Sequence, residues 1–183
     1  MKPKALVILH PGFEETEAVT PIDIFFRADL DLVLASTSDE LEVESRCGLK
    51  VRAAATFDAV ANDRYDLVFL PGGPGIHKIR GHEGICALFR RQAEAGRWLA
   101  CICAAPLLLK DAGLTGGIEL TCHPSAESEL EPVSHEPVVE AGRILTSRGA
   151  GTATEFGLAL VRKLKGDDLA EAIAEAICWP RAT

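Results

Sequence analysis

Cys103 stands in Trp98-Leu-Ala-Cys-Ile-Cys-Ala-Ala-Pro-Leu-Leu-Leu109, an apolar run that passes through small residues into a proline. Proline is favoured in the first turn of a helix, so the segment reads as a strand turning sharply into a helix, with Cys103 at the turn. A helix N-terminus favours the thiolate, the reactive form of cysteine. By position alone, a buried strand-end cysteine is the competing reading. Glu14, Glu15 and Glu17 open another helix-like segment, with Glu14 and Glu17 three apart on one face. Such acids ordinarily cap a helix and face water. If Glu17 instead points at Cys103, a carboxyl group beside a thiolate is held protonated and can move protons. Gly72-Gly73 follow an apolar run and present two unobstructed N–H groups, suited to a developing oxyanion. They would equally suit phosphate, but the Gly-Lys-Ser/Thr of a phosphate loop is missing. Of five histidines, His123 in Thr121-Cys-His-Pro124 is the best placed to partner Cys103, and His135-Glu136 is its rival as a triad element.

These residues must be positioned by the elements around them. Apolar runs at Lys4–Leu9, Asp31–Ala35, Leu49–Ala54, Asp66–Leu70 and Trp98–Ile102 read as strands. Glu119–Cys122, Val138–Glu140 and Ile144–Thr146 read as further short strands around a loop. Helical periodicity marks Glu14–Ala28, Glu83–Ala95, Ala104–Ala112, Thr152–Lys165 and Asp167–Ile177, with Gly96, Gly113 and Gly166 at helix ends. Alternating strands and helices argue for a mostly parallel sheet covered on both faces. Active sites in such sheets gather beyond the carboxyl ends of the strands. The turns after Leu9, Leu70 and Ile102 meet at that edge.

The chain has 183 residues, expected to form one domain over 1–183. Its 48% hydrophobic and 25% charged residues are an ordinary globular balance, which excludes a disordered or fibrous chain. A net charge of −8 argues against nucleic acid as a partner. No apolar run approaches the roughly 20 residues that span a bilayer. The run Ala5–Leu9 ends at His10-Pro11-Gly12, so no signal peptide is expected, and the protein is expected to be cytoplasmic. The six cysteines then read as reduced thiols. No Cys-x-x-Cys pair occurs, and His77 and His82, five apart, suit no common metal spacing, so neither metal nor cofactor is expected.

Six segments in order, Ala5–Leu9, Glu14–Asp23, Leu70–Gly73, Ile102–Pro106, Thr121–Pro124 and Leu145–Thr152, resemble the ThiJ/PfpI superfamily, in its DJ-one-like bacterial branch. The resemblance covers nearly the whole chain. It implies a flavodoxin-like three-layer α/β sandwich and a homodimer. It implies that Cys103 is the nucleophile and oxidisable thiol, Glu17 its protonated partner and acid/base, and His123 the nearby histidine. Gly72, Gly73 and the N–H of Ala104 would line the oxyanion pocket, and Arg27 and Arg46 would be basic positions near a dimer interface. Two departures stand out. Ala105 occupies a position where this branch usually has glycine, and a positive φ there would strain alanine. Ala104 stands where the protease-like branch has histidine, which weakens a peptidase reading. Cys101 and Cys122 are extra thiols near the site, either buried or able to resolve an oxidised Cys103.

The activity that this resemblance implies is a cysteine-dependent, glutathione-independent glyoxalase or deglycase acting on small 2-oxoaldehydes such as methylglyoxal. A second reading is a redox sensor or chaperone-like stress protein working through oxidation of Cys103. A third is a glutaminase-like hydrolase using His135-Glu136.

Overall fold

The computed structural model describes residues 2–180, so the expectation of one domain over 1–183 runs past the described residues at both ends. In chain order the elements are β1 (Lys4–Leu9), α1 (Glu15–Arg27), β2 (Asp31–Ser36), β3 (Glu42–Glu44), β4 (Lys50–Arg52), β5 (Ala55–Thr56), α2 (Phe57–Val60), β6 (Leu67–Leu70), α3 (Ile76–Ile79), α4 (Glu83–Glu94), β7 (Trp98–Ile102), α5 (Pro106–Asp111), α6 (Pro124–Leu130), β8 (Val138–Ala141), β9 (Ile144–Ser147), α7 (Ala153–Lys165) and α8 (Asp167–Ala176).

Seven strands form one sheet in the order β5-β2-β1-β6-β7-β9-β8. Every pair is parallel except β8 with β9. The centre of the sheet is buried on both faces, which is why β1, β6 and β7 are continuous apolar runs rather than alternating ones. α1 packs on α7 and α7 on α8, while α4 packs on β7 and α5, and α5 on α6. The result is the flavodoxin-like three-layer sandwich. Chain order reverses between β1 and β6, the place where open α/β sheets leave a crevice at their carboxyl edge.

Phe69 of β6 ties the sheet to one helical layer. Its ring meets Phe25 of α1 edge-on at 5.9 Å and Phe156 of α7 at 5.8 Å. The two helices approach closely because α7 has no side chain at Gly157, where a Cβ would lie 2.8 Å from Ile24 Cδ1. This contact fixes α1, and with it the first-turn acids.

Two expected strands are corrected. Leu49–Ala54 contributes only Lys50–Arg52, and that strand leaves the main sheet to pair antiparallel with β3. Charged residues flank Val51 on both sides, so β4 has one half-buried residue and no face to offer a buried sheet. Glu119–Cys122 does not form a strand: Thr121 makes a single bridge to Ser134. The Thr121 N–H goes instead to the Thr146 hydroxyl at 3.0 Å, which removes it from a ladder. No helix among the described residues is long and apolar enough to cross a membrane.

Candidate active site

The chain turns at Cys103 itself, whose φ is +65°. That left-handed conformation costs a residue with a side chain roughly 1–2 kcal/mol. Two backbone hydrogen bonds hold it. Cys103 N–H donates to the Ser147 carbonyl, and His123 N–H donates to the Cys103 carbonyl, both at 2.9 Å. Ala105 is an ordinary right-handed residue, with φ −60° and ψ −29°, at the cap of α5. The positive φ that would have strained this alanine is absent, because the tight turn falls on the cysteine two residues earlier.

Glu17 lies in the first turn of α1 and is 2% exposed. Its backbone N–H donates to the Glu14 carboxylate, the helix cap, at 2.7 Å. Its own carboxyl is enclosed from three loops. Oε2 accepts from Gly72 N–H at 3.1 Å, the Ala150 N–H donates to the carboxyl, and the Cys103 thiol is in hydrogen bond with it. Burial pushes its pKa up to about 7, helped by the charge on Glu14, while the three hydrogen bonds oppose the rise. A solvent-facing capping acid is therefore the wrong description of Glu17 and the right one of Glu14.

Cys103 behaves differently from the expectation of a lowered thiol. Burial first, and the Glu17 carboxylate second, push its pKa up to about 12. The N–H groups of Gly73 and Ala104 pull in the other direction. The helix beyond is only six residues long and its dipole does not overcome desolvation. Thiol and carboxyl therefore act as one coupled pair in which Glu17, not Cys103, changes charge near neutrality.

Glycine is obligatory at position 72. A Cβ there would lie 2.6 Å from Cys103 Cβ, 2.6 Å from Glu17 Oε2 and 2.8 Å from the Ile102 carbonyl. Sequence reasoning grouped Gly72, Gly73 and Ala104 as oxyanion donors, and the structure divides them. The Gly72 N–H is committed to Glu17, whereas those of Gly73 and Ala104 face the sulfur.

Above the pair opens a cavity of about 390 Å³, lined among others by Glu14, Arg46, His77, His123, Ser125 and Ala150. A larger cavity, about 630 Å³, opens elsewhere, around Lys110, Glu119 and Glu129, with no cysteine or histidine in its wall. His123 caps α6: its Nδ1 accepts from Ser125 N–H at 3.2 Å and meets the Ser125 hydroxyl at 2.9 Å. That assignment leaves the proton on Nε2. Among the described residues its ring makes no hydrogen bond to Cys103. Arg46 reaches the cavity from the loop after β3, pinned by its N–H to the Phe13 carbonyl at 2.8 Å. Arg27 does not line it; its guanidinium pairs with Asp23 at 2.7 Å on the exposed side of α1.

His135, the rival imidazole, has a side chain 75% exposed and lies against Arg148 at 2.8 Å and Glu127 at 3.6 Å, away from the cavity. Cys101 and Cys122 are buried free thiols, each with a pKa raised by burial. Sequence reasoning missed His77, which it weighed only as half of a metal pair. Its position four residues beyond Gly73, at the same sheet edge, was the available signal.

A family model described as the DJ-1/PfpI family matches residues 3–163. A nematode relative, the glutathione-independent glyoxalase DJR-1.2 of Caenorhabditis elegans, is 30% identical over 179 residues, 95% of each chain. The crystal structure of Drosophila melanogaster DJ-1beta superposes with a TM-score of 0.93 at 33% identity, covering 99% of this chain and all of that one (100%). Toxoplasma gondii DJ-1, solved oxidised, gives 0.93 at 32% identity over 98% of this chain and 100% of that one. With a cysteine at a sharp strand-to-helix turn, a buried acid beside it and a family model spanning most of its length, the chain belongs to the DJ-1/PfpI family.

Proposed function

We propose that this protein is a single-domain, glutathione-independent glyoxalase, acting through Cys103 on small 2-oxoaldehydes such as methylglyoxal, with deglycase-like use of the same chemistry. The observation that carries the reading is a buried carboxyl, titrating near 7, in hydrogen bond with a cysteine thiol in the wall of a cavity of about 390 Å³. The Glu17 carboxylate takes the thiol proton, and the thiolate adds to the aldehyde carbon. The aldehyde oxygen becomes the hydroxyl of a hemithioacetal, taking the proton back from Glu17, with the N–H groups of Gly73 and Ala104 supporting the transient negative charge. Glu17 then removes the proton from that first carbon and returns it to the neighbouring carbonyl carbon. The hydroxyl proton of the first carbon passes to the oxygen of the second, so the first carbon is oxidised to a thioester as the second is reduced to an alcohol, and no external redox partner is needed. Water cleaves the thioester, releasing lactate and restoring the thiol. His123, with its proton on Nε2, donates a hydrogen bond to the ketone oxygen, and Arg46 lends positive charge to the cavity wall. The protein is read as a cytoplasmic homodimer; Val19 and Phe26 leave an apolar strip exposed on the helix that carries Arg27.

The test is conversion of methylglyoxal to lactate by the purified protein without glutathione, beside Cys103→Ser and Glu17→Gln. Turnover in the wild type and its loss in both variants is expected. A reduced wild type with no turnover overturns the reading. Weight then moves to a redox sensor, favoured by the oxidised state of the solved Toxoplasma relative, in which Glu17 would hydrogen-bond an oxidised Cys103.

A further inference from the structure

His10 is a fully buried titratable side chain that the proposed chemistry does not use. It follows the last residue of β1 and reaches across to the loop after β6. Its Nε2 lies 3.2 Å from the Pro71 carbonyl and its Nδ1 3.4 Å from the Pro11 carbonyl. These carbonyls and the Gly72 backbone beside them are all acceptors, whereas a neutral imidazole has one N–H to give. Burial lowers the pKa of the ring, so it is neutral at pH 7. The shorter contact, between segments far apart in sequence, takes the proton: Nε2–H donates to Pro71.

The Pro71 carbonyl and the Gly72 N–H are the two ends of one planar peptide unit. One end is held by His10 and the other donates to Glu17 Oε2 at 3.1 Å. The next unit repeats the arrangement. The Gly72 carbonyl accepts from Glu14 N–H at 2.9 Å, and the Gly73 N–H faces the Cys103 sulfur. In both units the β1–α1 loop grips the carbonyl and the amide points into the site. Gly72 and Gly73 have no side chains to restrict rotation, and Gly73 sits at φ +109°. The restraint must come from the anchors. The site is built around this ring: a Cβ on Gly75 would lie 2.4 Å from His10 Nδ1.

We propose that His10 is a positioning residue of the active site, its Nε2–H locking the Pro71–Gly72 peptide so that the Gly72 amide stays on the Glu17 carboxyl. The proposal rests on the reading of Glu17 as the proton carrier beside Cys103, and not on the identity of the aldehyde. Losing the Gly72 amide removes a hydrogen bond from the charged form of Glu17 and moves its titration upward.

The test follows Glu17 by carbon-13 NMR in protein labelled at the glutamate side-chain carboxyl, the resonance being assigned by its loss in Glu17→Gln. The titratable and charged groups facing Glu17 are Cys103 and Glu14, with Arg46, His77 and His123 across the cavity, and all are unchanged in the His10 variants. His10→Phe fills the site without a donor. It is expected to raise the Glu17 midpoint by about one pH unit and to lower kcat on methylglyoxal about tenfold with little change in KM. His10→Gln, whose amide reaches Pro71, is expected to restore both. If His10→Phe does not fold, His10→Asn, too short to reach Pro71, takes its place with the same expectation. An unmoved midpoint in the variant lacking the donor overturns the proposal, and so does a His10→Gln midpoint displaced as far as that of His10→Phe. The titration needs no substrate, so it decides the role of His10 even where methylglyoxal is not turned over.

Discussion

Glu17→Gln should leave a protein more stable than the wild type at and above neutral pH. Glutamine keeps the shape of the side chain, accepts from the Gly72 amide as Oε2 does, and can still hydrogen-bond Cys103. What it removes is ionisation. The fold raises the Glu17 pKa from 4.5 to about 7, so the native state retains a proton that the unfolded chain releases. The stability this contributes is fully present below about 4.5 and is lost as pH rises through about 7. At 1.36 kcal/mol per pH unit, the loss amounts to about 3 kcal/mol, undiscounted because the group is 2% exposed. Cys103, pushed up to about 12, stays protonated across this window and does not blur it. The measurement is urea unfolding at a fixed protein concentration from pH 4 to pH 8, followed by fluorescence of Trp98, which is buried on β7. The difference between variant and wild type should grow by about 3 kcal/mol between the ends of that range. A flat difference would mean that the fold does not raise the Glu17 pKa above its unfolded value, and its role as proton carrier would fall with it.

Two further outcomes follow from the same geometry. Gly72→Ala places a Cβ 2.6 Å from both Cys103 Cβ and Glu17 Oε2, so it should cost about 1–3 kcal/mol and slow iodoacetamide alkylation of Cys103 at least tenfold, read on the Cys103 peptide by mass spectrometry. Wild-type alkylation and melting in that variant would show that the loop yields where it is drawn as rigid. Because Cys103 sits at φ +65°, Cys103→Gly should be more stable than Cys103→Ala by about 1 kcal/mol in thermal unfolding; the reverse order would remove the strain argument.

Much of this molecule was legible before its structure. β1, β6 and β7 are apolar runs because parallel central strands are buried on both faces. α1, α4, α7 and α8 are long enough for their periodicity to stand out. The turn at Cys103 was marked by Pro106, and the approach of Glu17 by the family motif rather than by helical spacing. What stayed hidden depends on contacts distant in sequence. α6 buries only Ala126 and Leu130, too few to set up a period. The β3–β4 ribbon carries charges on both sides of one apolar residue in each strand. The direction of the Cys103 shift could not be read from its place before a helix, because desolvation depends on which loops close over the sulfur. His10 gave no signal at all: its partner at Pro71 follows only once β6 is known to lie beside β1.

The consequence for reactivity runs against the usual picture of a cysteine made nucleophilic by its own low pKa. Burial raises both members of the pair, so neither is reactive alone: the thiol holds its proton, and the carboxyl is half protonated near pH 7. In the proposed mechanism the ionised fraction of Glu17 removes the proton from Cys103 as the sulfur attacks. A thiolate leaving its proton on a carboxyl in the same pocket keeps one negative charge there at every stage, so no second charge has to be desolvated. The Gly72 amide sets how readily the carboxyl accepts that proton, and those of Gly73 and Ala104 set how well the sulfur bears the charge. On the proposed mechanism the Cys103 nucleophile is tuned less by its helix than by two glycine peptides, whose carbonyls lie against His10 and the Glu14 N–H on the far side of the loop.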